Sequence, residues 1–128
     1  MPASPSCACA KRPRLVLACS GAADVGAVAD LAARRLAADG VATMFCLAGV
    51  GGRVPGILKT VAAAERITAI DGCPLDCAKN TLEQAGFSDF AHLRLTDLGL
   101  EKGNAPATEA RVASVAQAAA ALGNGDRP

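Results

Sequence analysis

Three short apolar runs, each leading into a cysteine, recur through the chain at a fixed interval. Arg14-Leu15-Val16-Leu17-Ala18 runs into Cys19, a second run from Val41 to Leu47 ends near Cys46, and Arg66 to Ile70 runs through Asp71-Gly72 into Cys73. Both intervals are 27 residues. Short continuous apolar runs suit strands buried on both faces, as in a parallel sheet. The equal spacing leaves room for one helix between successive strands. A fold of this kind carries each cysteine to the same edge of the sheet, the carboxyl edge, where α/β domains bind ligands.

The segments between the runs fit that scheme. Asp24 to about Ala38 places Val28, Leu31, Ala32 and Leu36 at helical spacing, with Asp24 suited to cap its start and Gly40 to end it. Pro55 suits the first turn of a helix running to about Ala64. A third helix is predicted from Pro74 to Ala85, with Cys73 at its N-cap, Pro74 at its first position and Asp76 in its first turn. His92 to Leu95 reads as a fourth strand, Thr96 to Ala105 as loop, and Ala107 to Leu122 as an Ala-rich last helix. Strands alternating with helices imply right-handed crossovers and helices on both faces. The expected fold is a single small α/β, Rossmann-like three-layer domain of about four parallel strands over 14–122, flanked by tails at 1–13 and 123–128. With strand order 2-1-3-4, Cys19, Cys46 and Cys73 leave three neighbouring strand ends.

Composition narrows the function. A net charge of +1 gives no field to attract nucleic acid or anionic lipid, and three Phe with no Trp or Tyr give no stacking platform. No apolar run approaches the ~20 residues of a membrane helix. The basic Lys11-Arg12-Pro13-Arg14 cluster has no signal-peptide core behind it. The expectation is a cytoplasmic protein without nucleic-acid or membrane partners. There, six cysteines point to metal or thiol chemistry rather than disulfides.

Four thiols, Cys19, Cys46, Cys73 and Cys77, are the candidate metal ligands. Thiolates select zinc, Cu(I) or iron–sulfur clusters over hard cations, and four of them close a tetrahedral shell at about 2.3 Å. On a helix, residues four apart hold their Cβ atoms ~5–6 Å apart, close enough for Cys73 and Cys77 to share an ion. The competing interpretation of Cys19 and Cys46 is as small buried hydrophobes. An N-cap cysteine also faces the positive end of the helix dipole, which favours a nucleophilic thiolate.

Other residues carry less. Gly49, Gly51 and Gly52 do not complete a dinucleotide-binding fingerprint, since Val54 takes the last position; they are expected to let backbone approach the metal site. Arg53 is either an anion contact or a solvated side chain. Asp71 either bonds nearby amides or forms a plain Asp-Gly turn. Lys79 either offsets thiolate charge or lies on the surface. Asp97 is a candidate for the outer rim of the site. His92, at the start of the fourth strand, is expected to lie away from it. Cys7-Ala8-Cys9 reads as exposed tail thiols or as a metal-capturing arm.

Four blocks together resemble a known family. They are Ala18-Cys19-Ser20-Gly21-Ala22-Ala23-Asp24, Phe45-Cys46-Leu47-Ala48-Gly49-Val50-Gly51-Gly52, Asp71-Gly72-Cys73-Pro74-Leu75-Asp76-Cys77-Ala78-Lys79 and Leu93-Arg94-Leu95-Thr96-Asp97-Leu98-Gly99. Over about 14–120 the chain resembles the DGC-domain family, described as zinc-binding. The resemblance implies that Cys19, Cys46, Cys73 and Cys77 are the family's proposed metal-binding cysteines. Two functions are then expected to compete. One is a small metal-binding protein holding Zn2+ (alternatively Cu(I) or an iron–sulfur cluster) for storage, transfer or sensing. The other is a thiol-redox or sulfur-transfer enzyme with Cys73 as nucleophile and Cys77 as resolving thiol.

Overall fold

The structure is a computed structural model and describes residues 12–123. The remaining residues, including Cys7 and Cys9 and most of the two expected tails, lie outside the described part. Four parallel strands form one sheet, as expected, in the order β2-β1-β3-β4, the order in which three cysteine-bearing strand ends are neighbours. They are β1 (Arg14–Ala18), β2 (Thr43–Met44), β3 (Arg66–Asp71) and β4 (Ala91–Arg94). The helices are α1 (Asp24–Ala38), α2 (Leu47–Gly51), α3 (Pro55–Ala62), α4 (Cys77–Gln84) and α5 (Glu109–Gly123). A 3₁₀ turn spans Leu95–Leu98. Among the described residues, no helix is long and apolar enough to cross a membrane.

Alternation along the strands sorts the core into two. Val16, Ala18, Ile70 and Leu93 face α1 and α5, packing with Val28, Ala32, Val115 and Ala119. Leu15, Leu17, Ile67 and Ala69 face the other way, onto Val50, Val61, Ala78 and Leu82 of α2, α3 and α4. With so few aromatic residues, close approach substitutes for bulk, and alanine faces let helices lie near the sheet.

Four local expectations change. The second strand shrinks from Val41–Leu47 to two residues, because it is an edge strand with only β1 to pair with. One further ladder bond runs from Phe45 N–H to the Val16 carbonyl (2.9 Å). Cys46 is therefore the N-cap of α2, a helix where a glycine loop was expected. Gly49 serves packing within this layer: a Cβ there would meet Ile57 Cδ1 at 2.1 Å. The third long helix begins at Cys77, not Pro74. Asp24 does not cap α1 in the usual way. Ala23 is the N-cap, and the Asp24 carboxylate accepts N–H bonds from Val25, Gly103 and Ala105, tying the loop before α5 to the start of α1.

Candidate metal centre at the carboxyl edge

Between the end of β3 at Asp71 and the start of α4 at Cys77 the chain makes a five-residue excursion. Asp71 is 1% exposed. Its two oxygens accept the Ala78 N–H (2.7 Å) and the Lys79 N–H (3.0 Å), the second and third positions of α4. A carboxylate at that place satisfies two of the orphan donors of the helix and complements its dipole. Asp71 thus caps α4 across the intervening loop, and the helix does not need to begin at Pro74. Gly72 has no room for a side chain, since a Cβ would stand 2.8 Å from the Val25 carbonyl carbon and 2.9 Å from Gly26 N. Its N–H donates to Cys19 Sγ (3.4 Å), linking the end of β1 to this loop. The Asp76 N–H then closes a turn onto the Cys73 carbonyl (3.2 Å).

Cys73 and Cys77 are therefore joined by a turn rather than stacked on one helical face. The helical Cβ spacing expected for the pair does not apply, and the dipole argument moves from Cys73 to Cys77, which is the first residue of α4. The Cys77 thiol is nonetheless pushed up. Burial is the largest cause, followed by the charges of Asp71, Cys19, Cys73 and Asp76. A thiol crowded by acidic neighbours is a poor nucleophile and a good place for a cation.

Asp76 is in the left-handed region (φ +53°), and so is Ser20 after β1 (φ +52°). Non-glycine residues held there mark backbone that its surroundings over-determine. Ser20 is pinned through Asp30: Ser20 Oγ donates to Oδ1 (2.8 Å) and Arg34 Nε to Oδ2 (2.7 Å). Burial works to raise the Asp30 carboxyl, but these two hydrogen bonds outweigh it and leave it lowered. Asp76 is pinned by Arg94 of β4, whose guanidinium fork grips both oxygens. Those bonds hold the Asp76 carboxyl below its usual range, against the opposing effect of burial.

The four candidate cysteines are free; Cys19 and Cys73 are half-buried, Cys46 and Cys77 exposed. Cys19 sits between the others along the sheet edge. On one side it bonds the Asp-Gly-Cys loop; on the other it lines, with Cys46, Ser20, Arg34 and Met44, an open groove of about 650 Å³. Sulfurs bound at about 2.3 Å to one tetrahedral ion stand roughly 3.8 Å apart. Among the described residues, no three of these thiols lie within 4.8 Å of one another. The donor type suits a thiophilic ion, but the four sulfurs are not gathered into a closed shell in this structure.

The group that does meet that distance is Asp71, Asp76 and His92. His92 Nε2 lies 2.8 Å from Asp71 Oδ2 and 3.8 Å from Asp76 Oδ1. This corrects the expectation that His92 lies away from the edge. β4 pairs only with the carboxyl half of β3, with His92 opposite Ala69 and Arg94 opposite Asp71. The start of β4 is thus level with the middle of β3. The alternation of Ala91-His92-Leu93-Arg94 puts both polar residues on one face, but it does not give the register that brings that face to this edge. Arg94 already supplies this cluster with a cation, so it is an ion-pair network rather than a second metal site. Asp97 joins at its rim, 3.2 Å from Arg94. Arg53 contacts no site: its guanidinium donates to the Val50, Gly51 and Gln84 carbonyls at the ends of α2 and α4.

Comparison with known proteins agrees with this arrangement of blocks. The DGC-domain family model matches residues 15–119. A protein of Pseudomonas aeruginosa named anaerobic and virulence modulator AnvM is 42% identical over 88 residues, covering 69% of this chain and 67% of its own. No solved structure matches. The match extends through all four strands and onto α5, and the chain belongs to the DGC-domain family.

Proposed function

We propose that the protein binds a thiophilic metal ion, zinc first, at the carboxyl edge of its sheet, with Cys19, Cys46, Cys73 and Cys77 as ligands. The observation that supports this is a shared edge: the Gly72 N–H, next to Cys73, donates to Cys19 Sγ, and Cys77 opens the helix that follows the same loop. Cys46 enters from the next strand over, through the shared groove. Bound metal would satisfy thiolates that otherwise repel one another. It would also lock together three loops now joined by few bonds.

Of storage, transfer and sensing, sensing is the role we favour. The relative from Pseudomonas aeruginosa carries the name of a modulator, and a site whose thiols must move to close is suited to report occupancy. The nucleophile reading for Cys73 loses support, because Cys73 is not at the helix N-terminus and the thiol that is there is raised.

Anaerobic purification followed by elemental analysis and thiol counting tests the proposal. About one zinc per chain is expected, with Cys73→Ser and Cys77→Ser each losing it and unmasking the remaining thiols. Protein with all thiols reduced that takes up neither zinc nor Cu(I) would refute the metal reading and return the site to thiol chemistry.

A further inference from the structure

β4 carries no cysteine, yet two of its side chains hold the loop that carries two. His92 and Arg94 stand two apart on the same face of the strand and reach back across the β3–β4 boundary. His92 meets Asp71, the residue before Gly72. Arg94 meets Asp76, the residue before Cys77, with Nε at 2.8 Å from Oδ1 and a terminal nitrogen on Oδ2. The Cys73–Cys77 turn is therefore clamped at both ends from outside. Its middle is otherwise exposed, with Leu75 66% accessible and tied only through the Asn80 side chain to its carbonyl.

We infer that Arg94, supported by His92, is a positioning residue that sets the separation of the Cys73 and Cys77 thiols. The bidentate fork fixes both the direction of the Asp76 side chain and its left-handed backbone. That backbone decides where the first residue of α4, Cys77, points. Lysine supplies the same charge but a single point donor, so it cannot hold both oxygens in one plane.

The inference goes beyond the metal reading and its geometric part does not depend on it. The test uses the full-length, metal-free, reduced protein and a short bis-alkylating reagent, dibromobimane, which bridges two thiols only when they are close. Peptide mapping gives the rate of Cys73–Cys77 bridging. Arg94→Gln is expected to slow it several-fold, and Arg94→Lys to restore part of the loss. His92→Gln is expected to slow it less, and serves if Arg94→Gln does not fold cooperatively. Zinc affinity measured by chelator competition is expected to fall about 10- to 100-fold in Arg94→Gln, as for loss of a partner that orients metal ligands. Bridging at the wild-type rate in Arg94→Gln would overturn the inference. Wild-type protein that binds no zinc, but whose bridging depends on Arg94, would remove the metal reading and leave the positioning role standing.

Discussion

Replacing Asp71 by asparagine tests the central claim about the Asp-Gly-Cys sequence, that its aspartate is a helix cap delivered from a strand. The side chain is 1% exposed and receives three partners: the Ala78 N–H, the Lys79 N–H and the His92 ring. Asparagine has the same shape but only one acceptor oxygen. Whichever way the amide turns, its NH2 group faces one of the two helix N–H donors, and that donor is left buried without an acceptor. An unsatisfied buried donor costs about 1–3 kcal/mol. Losing a negative charge at the positive end of α4 adds roughly 0.5–1 kcal/mol. The expected destabilisation is about 1.5–4 kcal/mol, against a total stability on the order of 10 kcal/mol.

Urea unfolding followed by far-ultraviolet circular dichroism reads this directly. The midpoint is expected to fall with the slope unchanged, since the surface exposed on unfolding is the same. At roughly 4 °C per kcal/mol for a chain of this size, the thermal midpoint drops by about 6–16 °C. Metal-free protein must be used, so that lost metal binding is not counted as lost capping. A midpoint shift equivalent to less than about 0.5 kcal/mol, the range of an ordinary surface substitution, would refute the capping role. A double-mutant cycle with His92→Gln should then show coupling of about 0.5–3 kcal/mol between two residues in direct contact.

The other expectations rest on separate contacts. Gly72→Ala forces a Cβ within 3 Å of the Val25 and Gly26 backbone; a loss of about 1–3 kcal/mol is expected in urea melts, while Gly21→Ala, with nothing within 4 Å of its Cβ, serves as the tolerated control. Leu82→Ala empties a fully buried position between α4 and the sheet and should cost about 2–5 kcal/mol. The Asp24 carboxyl is held below its usual value chiefly by the Gly103 N–H, then the Ala105 N–H. A lowered folded value means its contribution is complete above the unfolded value of about 3.9 and disappears as pH falls through the folded one. The stability difference between wild type and Asp24→Asn should therefore be constant near neutrality and shrink below about pH 4; a difference that grows on acidification would contradict the assigned contacts.

The sheet was legible because burial on both faces leaves a simple signature. Leu15-Val16-Leu17-Ala18 and Ile67 to Ile70 cannot be satisfied except between two helical layers, and the helical segments between the runs fix a parallel order. What the sequence concealed was non-local. Nothing in Pro74-Leu75-Asp76 announces that the helix waits until Cys77, because the cap that permits the delay is Asp71, six residues before it and in a strand. Proline followed by a first-turn aspartate is the ordinary pattern of a helix start, and local propensity gave way to a carboxylate arriving from the side. His92 was misplaced for a related reason. Strand register is set by pairing, and β4 begins level with the middle of β3, which no local pattern in Ala91–Arg94 reveals.

The delayed helix start bears on what the site can do. Had α4 begun at Pro74, Cys73 and Cys77 would lie on one rigid turn with their separation fixed by helical geometry. Placing them instead at the two ends of a turn, with Asp76 in the left-handed region, makes their separation depend on the Asp76–Arg94 grip and on the Cys73–Asp76 backbone bond. The thiol separation is then set by contacts from outside the helix, while the strand end behind it is fixed directly: Asp71 is bonded to α4 and Gly72 lies against the α1 backbone. A permanent structural ion gains from ligands rigid before it arrives. A site whose occupancy is to be reported needs ligands that move a short distance when it fills, on a base that does not. On the sensing role proposed above, Asp71-Gly72 would supply the fixed base and the Cys73–Cys77 turn, held by Arg94, the part that responds to metal.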